Sequence, residues 1–178
     1  MRLSLYLLAL LAFLGAFDTL YYHEWRAKLP ALGPQAKPEL QLHAFRDLVY
    51  AVLFAGVPWF AWHGAYAIVL VGLFTAEIIL TLWDFVVEDW IRKPLGGLYA
   101  GERVMHGVMG IVYGAMLATI VPTLRVWWST PTALVLSPAP ISDALKWIMV
   151  VMAVGVFLSG IRDLSAAGGL RYSAWPWK

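Results

Sequence analysis

Apolar residues dominate five stretches of this chain, at about 3–22, 44–62, 65–88, 104–123 and 144–163, and the polar residues between them fall in short connections. Each stretch meets or approaches the roughly 20 residues that a helix needs to cross a hydrocarbon core about 30 Å thick. The pattern predicts an all-α fold: a polytopic membrane bundle in which the first four spans form a four-helix bundle and the fifth packs outside it. Residues 1–178 are read as a single integral membrane domain. Arg2 followed by "LYLLALLAFLGAF" has the outline of a cleaved signal, but no small-x-small site follows and "FDTLYYHEW" continues with polar residues. It is therefore read as the first span.

The connections have their own character. Pro30, Pro34 and Pro38 predict a stiff, irregular link over 25–38 rather than a helix, and His63–Gly64 a tight turn. "VWWSTPTALVLSPAPISD" is too short and too rich in proline to span, but its Trp127 and Trp128 suit a membrane interface. The tail "YSAWPWK" reads as an aromatic anchor on the cytoplasmic surface. In the fourth span Gly107, Gly110, Gly114 and Ala118 recur at three- and four-residue steps, which predicts close helix approach and a central place for that span.

Composition agrees with the membrane reading: 61% of residues are hydrophobic and 13% charged, with a mean hydropathy of +0.72, well outside soluble composition. The distribution of Lys and Arg adds an orientation. Ten of the thirteen (Arg26, Lys28, Lys37, Arg46, Arg92, Lys93, Arg103, Arg162, Arg171 and Lys178) lie after spans one, three and five or at the adjoining helix ends, against Arg2, Arg125 and Lys146 on the other side. Positive charge is retained on the cytoplasmic side, so the expectation is a multi-pass protein of the inner (plasma) membrane with its N-terminus outside and its C-terminus in the cytoplasm. The net charge of +2 reflects this topology and gives no support to nucleic-acid binding. Cysteine is absent, which excludes disulfides, thiolate metal sites and cysteine nucleophiles.

The same sorting places most of the acids together. Span one ends with Asp18, His23 and Glu24; span two begins with Glu39, His43 and Asp47; span three ends with Asp84, Glu88 and Asp89; span four begins with Glu102 and His106. Residues three, four and seven apart share a helix face. Glu39, His43 and Asp47 therefore form one stripe, Asp84 and Glu88 a second with Glu77 seven residues deeper, and Glu102 and His106 a third, continued by Tyr113. A carboxylate within a span is costly and should face the bundle with a partner. Several together repel one another unless Arg46, Arg103, protonated histidines or a bound metal neutralises them.

Two histidines with four or more carboxylates on four helices form the ligand chemistry of dinuclear carboxylate centres. In this pattern, over residues 18–106, the chain resembles the ferritin-like di-metal carboxylate bundles. The resemblance implies iron, with manganese or zinc as further metals, held by a set drawn from Asp18, Glu39, His43, Asp47, Asp84, Glu88, Glu102 and His106. The chain departs from that family in spacing: "ELQLH" and "ERVMH" are Glu-x-x-x-His where the family has Glu-x-x-His, and the order of ligands along the chain differs. It also resembles bacterial integral membrane proteins of unassigned function.

Three other readings stand beside this one. An interfacial salt-bridge network would make the chain a non-catalytic subunit or scaffold for a membrane protein partner. His43 and His106 would serve a b-type haem. Glu77, in mid-span, would serve ion or proton movement, though only His63 offers a titratable group further out. On the metal reading, the chemistry expected is oxidation or oxygenation of a lipid-soluble compound such as a quinone, or electron transfer with one, in contact with membrane lipid. Glu77 and Tyr113 are then candidate catalytic groups. Phosphate-binding glycine loops, G-x-S-x-G and H-E-x-x-H are absent, so the corresponding hydrolase and nucleotide chemistries have no support.

Overall fold

The computed structural model describes residues 1–177. Five long helices follow the apolar stretches: α1 (Arg2–Phe17, continuing as a π-helix over Asp18–Arg26), α2 (Lys37–Gly56), α3 (Ala65–Arg92), α4 (Ala100–Trp128) and α5 (Asp143–Ala167). Four of them are long and apolar enough to cross a membrane: Arg2–Arg26, Ala65–Leu95, Ala100–Trp128 and Asp143–Ala167. The 20-residue α2 falls outside that set, because its first eleven residues carry Lys37, Glu39, Arg46 and Asp47. It ends at Gly56, so the stretch expected to span as far as 62 is instead helix, turn and strand.

That strand, β1 (Phe60–His63), pairs antiparallel with β2 (Ala133–Leu136) in the register Phe60 to Leu136 and His63 to Ala133. The two-stranded ribbon is the one departure from helix among the regular elements, and it closes the end of the bundle opposite the acids. Gly64, next to it, has φ +56°, and a Cβ there would lie 2.4–2.7 Å from Thr132. Only glycine satisfies both the backbone angle and the space. At the other end, the proline link forms a helical turn at Leu29–Leu32 and a 3-10 turn at Gly33–Ala36, with Pro30 and Pro34 in their opening positions, where a missing N–H costs nothing.

All five helices contribute to one core. Leu5 and Leu8, Leu53 and Phe54, Leu70 and Phe74, Met116 and Ile120, and Met149 and Ala153 are buried together. The pairing differs from the sequence expectation. The most extensive helix contact is α2 with α5, followed by α1 with α4, and α3 lies against α2. The fifth span is thus part of the packing rather than an outer addition. Gly160 explains how: a Cβ on it would be 3.1 Å from the Ala44 carbonyl oxygen and 3.1 Å from the Asp47 Cβ. The glycines of α4 do the opposite. Gly107, Gly110 and Gly114 have nothing within 4 Å of a built Cβ, so their face is turned outward and does not mediate the close packing their spacing suggested.

Gly160→Leu is expected to destabilise the fold by about 1–3 kcal/mol through forced separation of α2 and α5. Gly155→Leu, on the same helix where a Cβ meets nothing, should leave stability unchanged. Unfolding midpoints in detergent check the pair, and equal effects at the two positions would refute this account of the contact.

The distribution of surface is inverted relative to a water-soluble protein. Ile111 is 75% and Val151 68% exposed, whereas Glu39, Asp84 and Glu102 are 0% exposed. Apolar residues outside and ionisable residues inside is the arrangement that a lipid solvent stabilises, since exposed apolar surface costs nothing there and charge does.

Candidate metal centre

The buried polar groups meet at the end of the bundle where α1 finishes, α2 begins, α3 finishes and α4 begins. α2 supplies Glu39 and His43, one turn apart; α3 supplies Asp84, Glu88 and Arg92; α4 supplies Glu102 and His106. All seven are buried. α1 contributes Asp18 and His23 through its π-helical end. In an α-helix residues five apart point about 140° away from each other at 100° per residue. Hydrogen bonding from i to i+5 widens the turn and brings them towards one face. The result is that His23 Nε2 lies 3.5 Å from Asp18 Oδ2 and 3.3 Å from Glu102 Oε1.

Glu88 occupies the middle. Its Oε1 is 3.9 Å from His43 Nε2 and its Oε2 is 3.5 Å from His106 Nδ1. Two sets of ligand atoms result, each mutually within 4.8 Å: His23, Glu88, Glu102 and His106, and Glu39, His43 and Glu88. For bonds of about 2.1 Å, opposite ligands of one ion lie about 4.2 Å apart, close to the 4.8 Å within which the atoms of each set fall. The imidazoles are stacked closely, His23 on His43 with ring centres 4.5 Å apart and planes at 8°. Phe85 stacks on His106 at 5.3 Å.

Two guanidinium groups tie the centre to the helices. Arg92 Nε donates to both oxygens of Glu39, at 2.8 and 3.2 Å, and Nη2 to Glu102 at 3.4 Å. It thereby joins α2, α3 and α4. Arg46 donates to Asp84 at 2.7 Å, and Asp84 in turn lies 3.3 Å from His43 Nε2. Five carboxyl groups (Asp18, Glu39, Asp84, Glu88 and Glu102) surround two guanidinium groups (Arg46 and Arg92), an excess of acids that protonated histidines, bound cations or protonation of a carboxyl would balance. Several buried atoms have no hydrogen-bond partner: Asp18 Oδ1, His23 Nε2, His43 Nε2, Asp84 Oδ1, Glu88 Oε1 and Glu102 Oε2. Imidazole nitrogens and carboxylate oxygens left unpaired inside a protein are costly, and as a donor set they match hard and borderline divalent metals.

The eight residues expected as ligands thus divide. Glu39, His43, Glu88, Glu102 and His106 fall in the two ligand sets; Asp18, 3.2 Å from His106 Nε2, and Asp84 flank them. Asp47 is only half-buried against α5, beside Gly160, and belongs to neither set. Deeper in the bundle Glu77 Oε1 accepts from Tyr50 at 2.9 Å and Thr81 at 2.6 Å, with Arg46 at 3.6 Å. Tyr113 donates to the Phe74 carbonyl oxygen at 3.0 Å.

Three participants were not in the expected set. His23 is read from the sequence as lying at the end of span one with the other ionisable groups but not among the ligands; the π-helical turn brings it to them. Arg92 read as an ordinary positive helix end. Asp163, on α5, is buried with Oδ2 4.0 Å from His43 Nδ1. Its signal was a lone acid within an apolar span, in a helix assigned outside the bundle.

No known protein family, curated protein or solved structure matches this chain.

Proposed function

We propose that this is a membrane metalloprotein with a dinuclear centre, of iron or else manganese or zinc, at the cytoplasmic end of its helices. The observation that carries the reading is Glu88. One buried carboxylate is shared by two ligand sets, as a bridging carboxylate between two ions would be. His23, Glu102 and His106 would hold one ion and Glu39 and His43 the other. Haem fits less well, because Glu88 reaches both His43 and His106 and occupies the space a macrocycle needs.

Iron in such a shell supplies redox chemistry, and the reaction class that suits the location is oxidation of a lipid-soluble compound or electron transfer with one. Carboxylates keep coordination positions open, as reactive centres require. The orientation proposed, from the ten-to-three distribution of Lys and Arg, puts the centre within reach of a soluble reductant and of membrane-dissolved substrates.

The direct ion pairs of Arg92 and Arg46 favour a second reading, a scaffold whose acid cluster is structural. Metal analysis of purified protein separates the two. The metal reading expects about two ions per chain, and oxygen consumption by reduced, iron-loaded protein in lipid that Asp84→Ala abolishes. Absence of metal from the wild type, with no uptake on reconstitution, leaves the scaffold.

A further inference from the structure

The fifth helix reaches the centre through one side chain. Asp163 lies three residues beyond Gly160, whose missing Cβ lets α5 rest against Ala44 and Asp47 of α2. That contact sets Asp163 beside His43, the residue before Ala44. The two edges of the His43 ring then face different helices: Nδ1 faces Asp163 Oδ2 on α5 at 4.0 Å, and Nε2 faces Asp84 and Glu88 on α3 at 3.3 and 3.9 Å. His23 covers a face of the ring by stacking. Among the described residues, His43 is the one basic group within ion-pair distance of Asp163, because the adjacent Arg162 turns away to Glu24 and to the carbonyl oxygens of Ser173 and Trp175.

A histidine that binds metal through one nitrogen is a better ligand when the other donates its N–H to a carboxylate. The partner fixes the tautomer and the ring angle and makes the free nitrogen more basic. The buried Nε2 of His43, which makes no hydrogen bond but lies 3.3 Å from Asp84 and 3.9 Å from Glu88, is the nitrogen aimed at the centre. We propose that Asp163 is a positioning residue for the metal centre: with metal bound, it accepts a hydrogen bond from the Nδ1–H of His43, 4.0 Å away in this structure, and so presents Nε2 to the ion shared with Glu88. The inference rests on the metal reading above and adds a function for the fifth helix, which supplies no atom of either ligand set.

Cobalt(II) titration of the full chain in detergent tests it, with the visible absorption band as a second readout. Asp163→Leu is expected to weaken cobalt binding about 10- to 100-fold and to shift the band. Asp163→Asn, which keeps an acceptor oxygen, should fall between Asp163→Leu and the wild type in both. On a His43→Ala background Asp163→Leu should add no further loss, since its effect passes through His43. Wild-type affinity and spectrum in Asp163→Leu, or an undiminished loss on the His43→Ala background, would overturn the positioning role and leave the centre standing. Should Asp163→Leu not fold, an unchanged band and affinity in Asp163→Asn overturns it. Failure of the wild type to bind cobalt overturns the metal reading and this inference together.

Discussion

With the dinuclear centre proposed above, Glu88→Ala is expected to lose both metal ions rather than one. Glu88 is the only residue common to the two ligand sets, with one oxygen towards His43 and the other towards His106. Its removal leaves Glu39 and His43 as a two-ligand remnant on one side. On the other it leaves His23, Glu102 and His106, a set with one carboxylate in place of two and without the group that joins it to its neighbour. Metal content measured on purified Glu88→Ala should fall from about two ions per chain to near none, while Glu77→Gln, deeper in α3 and bonded to Tyr50 and Thr81, should keep its metal. Retention of a single tightly bound ion in Glu88→Ala would mean two independent sites and no bridge.

Arg92→Ala should produce the largest loss of stability of any single change at this end of the bundle. The side chain is buried and its guanidinium is shared between Glu39 on α2 and Glu102 on α4. Removing it leaves Glu39 without its cation and Glu102 with only His23 within ion-pair distance. Breaking a buried pair in this way costs about 3–5 kcal/mol, on the order of 10 °C in melting temperature for a chain of this size. Arg92→Lys should recover only part of the loss, because an ammonium cannot reproduce the fork that reaches two helices. Arg103→Ala, at an exposed position, should cost little. The measurement is thermal unfolding of metal-free protein in detergent, and added divalent metal should narrow the gap by supplying the missing positive charge. A metal-free Arg92→Ala protein as stable as Arg103→Ala would show that Glu39 and Glu102 find other partners.

What the chain determines by itself is the set of helices and the end at which its ionisable groups gather. Both are local properties. A run of about twenty apolar residues has few alternatives to a helix in lipid. The one-turn spacings Glu39–His43, Asp84–Glu88 and Glu102–His106 place each pair on one face whatever the helix later packs against. What only the tertiary structure decides is which faces meet. Gly107, Gly110 and Gly114 of α4 had the spacing of an interface and face outward, whereas Gly160 lets α5 approach the backbone of α2 closely, because a stripe of small residues permits contact on any side and the partner helix selects one. α2 stops at Gly56, just before Pro58, which cannot continue it, and residues 60–63 then pair with a strand seventy or more positions away, a partner that no local pattern reveals. His23, Arg92 and Asp163 enter the centre for the same reason. Their roles depend on a π-helical turn that changes the facing of α1, on a guanidinium stretched between two other helices, and on the contact of α5 with α2, and each of these exists only once the helices are packed.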